Sequence, residues 1–174
     1  MVDDDWDNEP TPSAPDASAS ASELWILVDA SGSMTEGGKC YMVRNVVRTV
    51  EQFTRFGSLA GSIRLVAFRN GEGWLVNWNV DNEFPLDMVF VDHPPSPTDL
   101  RSLLESVTGR FLLVSDGFFD RKSAQAINIW KTNLPKNKLF FVPVGGDAVV
   151  GKHRDIMVKP ENLWFAVDAW RALP

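Results

Sequence analysis

Apolar residues recur along the chain in two rhythms. Residues 24–29 read Leu-Trp-Ile-Leu-Val-Asp, an unbroken apolar run closed by a carboxylate. Such a run predicts a strand covered on both faces. Over 39–56, Val43, Val46, Val47, Val50 and Phe53 recur at helical spacing, while Arg44, Arg48, Glu51 and Arg55 fall on the opposite side. That pattern predicts an amphipathic helix. A strand is expected at 62–69, a turn at Asn70-Gly71-Glu72-Gly73, and a further strand at 74–80, so that the two pair as a hairpin. Residues 81–97 are Pro-rich and irregular, with a short helix or extended piece near 86–91. A helix is expected at 99–107. The apolar run at 110–115 predicts another strand, ending at Asp116-Gly117. Beyond it the pattern predicts a helix at 122–134, a strand at 138–144 stopped by Gly145-Gly146, a last strand at 162–167 and a last helix at 168–173.

Apolar strands alternating with amphipathic helices imply an α/β chain. The expected fold is a Rossmann-like three-layer α/β/α sandwich, with a mostly parallel central sheet and one antiparallel edge strand. Ligands of such sheets bind beyond the carboxyl ends of strands, where the connections diverge to opposite faces. Asp29 and Asp116 each follow a fully apolar strand, so their carboxylates converge if those strands are neighbours.

A chain of 174 residues suits one domain with a sizeable core. The expected division is a disordered, acidic Pro/Ala/Ser-rich tail at 1–22 and a folded domain at 23–174. Six of the 23 acids lie in residues 1–22, which hold no Lys or Arg, so the other 17 acids balance the 17 bases. The net charge of −6 therefore belongs to the tail. No basic stripe or arm points to a nucleic-acid partner. Cys40 is the one cysteine, which rules out an intrachain disulfide and suits a reducing compartment. The first residues lack the basic start and apolar core of a signal peptide. No apolar run approaches the roughly 20 residues of a membrane span. A soluble, cytoplasmic protein with no membrane partner is the expectation.

Three segments offer oxygen ligands: Asp29, Ser31 and Ser33 in Asp29-Ala30-Ser31-Gly32-Ser33; Thr98 in the Pro-rich loop before Asp99; and Asp116. Carboxylates and hydroxyls without imidazole or thiolate favour Mg²⁺ or Mn²⁺ over zinc. Simpler roles exist for each: Asp29, Ser31 and Ser33 as turn residues, Thr98 as a helix N-cap, Asp116 as a strand-end turn residue.

In order and placement these segments resemble the von Willebrand factor A domain and its metal-ion-dependent adhesion site. Asp29, Ser31 and Ser33 match the Asp-x-Ser-x-Ser after the first strand, Thr98 the later threonine, and Asp116-Gly117 the Asp-Gly after the fourth strand. The string Asp29-Ala30-Ser31-Gly32-Ser33-Met34 is similar to that of bacterial intracellular members, and the resemblance covers about 23–173. It implies that the serines and the threonine ligate the ion, that the aspartates act partly through water, and that an Asp or Glu of a partner protein fills an open position. It further implies an adaptor without catalysis, within a multi-component system that can include an AAA+ ATPase of the MoxR type. Two departures stand out. Ser96-Pro97 replaces the Gly-Gly turn of many members, and the last helix is short.

A competing outline is a haloacid-dehalogenase-like phosphoryl-transfer hydrolase, with a strand-end Asp, a later Ser or Thr and a second strand-end Asp. That chemistry needs an acid two residues after the nucleophile, where Ser31 stands, and a lysine for which Lys122 is the nearest candidate. Asp99 and Asp120 read as helix-start or solvated acids, His93 and His153 as surface residues, and Cys40 as a small buried or half-buried side chain. Trp74, Val76, Trp78 and Val80 share one strand face expected to pack under a helix. Met34, Phe118 and Phe119 flank the candidate metal loops.

Overall fold

The computed structural model describes residues 23–173. The acidic 1–22 segment, with its expected disorder, lies outside the described residues. The strands are β1 (Leu24–Asp29), β2 (Ile63–Arg69), β3 (Glu72–Val76), β4 (Thr98–Asp99), β5 (Arg110–Ser115) and β6 (Leu139–Pro143). The helices are α1 (Lys39–Arg55), α2 (Leu86–Val89), α3 (Leu100–Ser106), α4 (Arg121–Asn133) and α5 (Leu163–Arg171). The strands form one sheet in the order β4-β3-β2-β1-β5-β6. β2, β1, β5 and β6 run parallel, β3 returns antiparallel to β2, and β4 pairs antiparallel to β3. The α/β architecture with a mostly parallel sheet is thus as expected, with the two-residue β4 rather than β3 at the edge.

Alternation along β1 divides the interior. Leu24, Ile26 and Val28 join a cluster with Val43, Val46, Val47 and Val50 of α1 and Leu163, Ala166, Val167 and Trp170 of α5. Trp25 and Leu27 join the opposite cluster, with Leu100 and Leu104 of α3 and Ala126, Ile127 and Trp130 of α4. Each large side chain so buried contributes about 1.5–3 kcal/mol. Both strands that carry the candidate aspartates are buried along their whole length, which is why they read as continuous apolar runs.

Two expected elements differ. β3 starts at Glu72 and stops at Val76, because only Asn70 and Gly71 form the turn and Glu72 already pairs with Arg69. Trp78 leaves the ladder, and its indole N–H donates to the carbonyls of Asn82 at 3.2 Å and Glu83 at 2.9 Å. Trp74 and Val76 are buried in the α1/α5 cluster, with Trp78 and Val80 packed against it, as the shared face implied. The strand expected at 162–167 is instead the start of α5. Leu163, Ala166, Val167 and Trp170 are buried while Trp164 and Phe165 are exposed, an i, i+3, i+4, i+7 stripe that only a helix satisfies.

Candidate metal centre

β1 and β5 are neighbours, and Val28 pairs with Val114. The chain after β1 enters α1 on one face of the sheet, and the chain after β5 enters α4 on the other. Asp29 and Asp116 therefore stand where the connections diverge, in the crevice where open α/β sheets bind ligands.

The register also separates them. Asp29 is in step with Trp25 and Leu27, on the α3/α4 side. Asp116 is in step with Leu112 and Val114, on the α1/α5 side. Both carboxylates are buried, and each is satisfied differently.

Asp29 is held by neutral donors. The Ser115 hydroxyl donates to Oδ2 at 2.6 Å, and the Ser31 backbone N–H donates to Oδ1 at 2.9 Å. Burial pushes its carboxyl above the ordinary range, against the lowering effect of the Ser115 and Ser31 hydrogen bonds, and the nearby negative charge of Asp116 adds to the rise. Beside it, the Ser31 and Ser33 hydroxyls lie 3.2 Å apart on a half-buried turn.

Asp116 carries its own cation. The Lys39 ammonium, first residue of α1, donates to Asp116 Oδ2 at 2.8 Å and to Asp147 Oδ2 at 2.9 Å. Hydrogen bonds to Asp116 and then Asp147 raise the lysine above its usual range, so it is firmly charged. The Phe118 N–H donates to Asp116 Oδ1 at 3.1 Å, and the Asp116 N–H donates to the buried Met34 Sδ at 3.2 Å. The half-exposed Phe118 ring lies 5.9 Å from the ammonium. Glycines fit the loops around this pair. Gly117 has φ +83°, and a Cβ there would collide with the Val149 carbonyl oxygen. A Cβ on Gly145 would sit 2.7 Å from Lys39 Cε.

Thr98 is elsewhere. Asp29 pairs with Phe68, Phe68 with Gly73, and Gly73 with Thr98. Three strand spacings place Thr98 about 14 Å from Asp29 along the sheet. Its hydroxyl donates to the Gly73 carbonyl at 3.3 Å. Asp99, not Thr98, caps α3, accepting from the Ser102 N–H at 2.9 Å. Asp120 caps α4 through the Lys122 and Ser123 N–H groups at 2.9 and 3.0 Å. Lys122 packs its stem against Gly71 of the β2–β3 turn.

Sequence reasoning missed Lys39, Asp147 and Ser115. One signal for Lys39 was present. A basic residue opens α1, whose first turn holds no acid, although the positive end of a helix dipole disfavours a cation. His153 was expected at the surface. It is buried between Phe119, at 5.6 Å, and Phe141, at 5.4 Å, because Phe119 turns inward to stack on Phe68 at 6.1 Å. Cys40 is half-buried on α1, as expected.

The chain matches no family model and no curated protein.

The donor set fits a hard cation on the Asp29 side. A buried carboxylate without an ionic partner among the described residues sits beside the hydroxyls of two half-buried serines. The candidate ligands on this side are the Asp29 carboxylate and the Ser31 and Ser33 hydroxyls. Mg²⁺ accepts such a sparse set because it keeps several waters.

Proposed function

We propose that the mouth of β1 and β5 holds Mg²⁺ or Mn²⁺ and that the protein is a metal-dependent interaction module, gripping an Asp or Glu of a partner protein. The observation that carries this is Asp29: buried, raised by burial, and flanked by the Ser31 and Ser33 hydroxyls. Ionised in that setting it is costly, and a divalent ion offsets the cost. Asp29, Ser31 and Ser33 hold the ion. Asp116, already paired with Lys39, lies beside the ion and is not counted among its direct ligands. Thr98 serves the hairpin and is not counted among the ligands. When bound, the ion supplies a strong local charge with exchangeable waters, which a carboxylate can replace.

The resemblance to the von Willebrand factor A domain supports the same conclusion, and it alone suggests an AAA+ ATPase of the MoxR type as partner. Phosphoryl transfer is disfavoured by Ser31 at the position of the required acid and by Lys122 at the hairpin. No helix among the described residues is long and apolar enough to cross a membrane. A cytoplasmic location is in keeping with the lone Cys40.

The test is a thermal melt in EDTA and in Mg²⁺. At 100 times its dissociation constant a ligand adds about 2.7 kcal/mol, which for a domain of this size is a rise of roughly 5–10 °C. The rise is expected in the wild type and absent in Asp29→Asn. Identical melts of the wild type in EDTA and in excess Mg²⁺ or Mn²⁺ overturn the proposal.

A further inference from the structure

Lys39 is the least expected group at the mouth. Its side chain is 8% exposed, yet it is a full cation lodged between Asp116, which is completely buried, and Asp147, which is 60% exposed. An ammonium with so little exposure needs fixed partners to offset its lost hydration. Both partners are present, each in good hydrogen-bonding geometry. The fold makes room for this side chain in particular, because any side chain at Gly145 would strike the Lys39 stem.

We propose that Lys39 is a resident counter-cation that withholds Asp116 from the divalent ion and so sets the affinity of the site. The inference rests on the metal-dependent reading above. The Ser115 hydroxyl that donates to Asp29 belongs to the residue before Asp116, and the Asp116 N–H donates to Met34, the residue after Ser33. An ion on the Asp29 side is therefore within range of the ammonium that touches Asp116. The ammonium repels the ion and cancels the attraction that Asp116 would exert. With Asp116 neutralised, the ion is held by one effective negative charge and two hydroxyls. Its affinity in isolation is then low, and an incoming carboxylate supplies the charge that Asp116 does not. Lys39 acts as a positioning and charge-setting residue; it need not touch the ion.

The charge balance predicts the outcome of substitution. Lys39→Met removes the cation, keeps a stem of similar shape, and releases the full charge of Asp116 to the ion. Lys39→Met/Asp116→Asn replaces a neutral pair by a neutral pair and gives that gain back. The measurement is a Mn²⁺ titration of the full chain, with free Mn²⁺ followed by electron paramagnetic resonance. Lys39→Met is expected to bind Mn²⁺ at least tenfold tighter than wild type, and the double variant within about threefold of wild type. Lys39→Gln, which keeps a donor for Asp116 without the charge, predicts the same tightening should Lys39→Met fold poorly. If every protein binds Mn²⁺ and neither single variant is tighter than wild type, the role of Lys39 is overturned while the ion site stands. If wild type and Lys39 variants alike bind none, the ion site falls, and the role of Lys39 with it.

Discussion

Asp29 and Asp116 look alike in sequence. Each ends an apolar strand, each is buried, and their strands are neighbours. Their surroundings differ. Asp29 is met by a hydroxyl and an amide N–H, and Asp116 by an ammonium. Among the described residues no cation pairs with the Asp29 half of the mouth, whereas the Asp116 half has one built in. Position at a strand end therefore identifies a carboxylate worth examining, while the charge opposite it decides whether that carboxylate is available to an outside ion.

The sharpest way to break this contrast is to neutralise each carboxylate in turn, in EDTA. Asp116→Asn strands a buried ammonium on its exposed partner Asp147, and about 3 kcal/mol of stability should be lost. Asp29→Asn removes a costly buried charge and should stay within about 1 kcal/mol of wild type. Denaturant titrations measure both, and equal losses would show that the two halves are not different in kind. Next in size is the effect on the ion. Ser31→Ala with Ser33→Ala should weaken Mg²⁺ at least tenfold, about 1.4 kcal/mol, with little change to the EDTA melt. Calorimetry would expose a mistaken ligand set by an unchanged affinity.

Acid tests a third buried ionisable group. Burial pushes the His153 imidazole below its ordinary range, and the positive Lys131 nearby adds to the effect. The folded protein thus keeps a neutral imidazole at pH values where the unfolded chain, with a pKa of about 6.5, takes up a proton. Stability from this group is complete above that value and is lost as the pH falls toward the folded pKa. His153→Leu should flatten that slope in denaturant titrations run across this range. An unchanged slope would place the acid sensitivity elsewhere. Smallest is Asp147→Asn. Its carboxylate is 60% exposed, so solvent screens the pair and the loss should be the smallest of the set; a loss as large as that of Asp116→Asn would mean that Asp147 shares the anchoring of Lys39 equally with Asp116.

Much of the scaffold was legible because burial on both faces leaves a simple mark. β1 and β5 carry unbroken apolar runs at 24–28 and 111–114, and α1 carries its valines on one side. The reading failed where two periods overlap. Leu163 to Val167 is apolar enough for a strand, and only the addition of Trp170 shows the helical stripe. It overran at β3, where Trp78 and Val80 continue the alternation after the backbone has left the ladder. At the site, Asp29, Ser31 and Ser33 were legible because they are close in sequence, and Asp116 because it repeats the strand-end pattern. Lys39 was not, since its partners lie 77 and 108 residues away. Nor was the displacement of Thr98, which depends on how β4 closes the edge of the sheet.

The placement of β1 at the centre of the sheet also constrains how the chain matures. Its hydrogen-bonding edges are covered by β2 on one side and β5 on the other, and the hydroxyl that steadies Asp29 is 86 residues downstream. While the ribosome is still translating toward residue 110, β1 can find at most one of its neighbours, and its free edge is a template for mispairing. A nascent chain therefore cannot present the mouth to any partner before β5 has emerged.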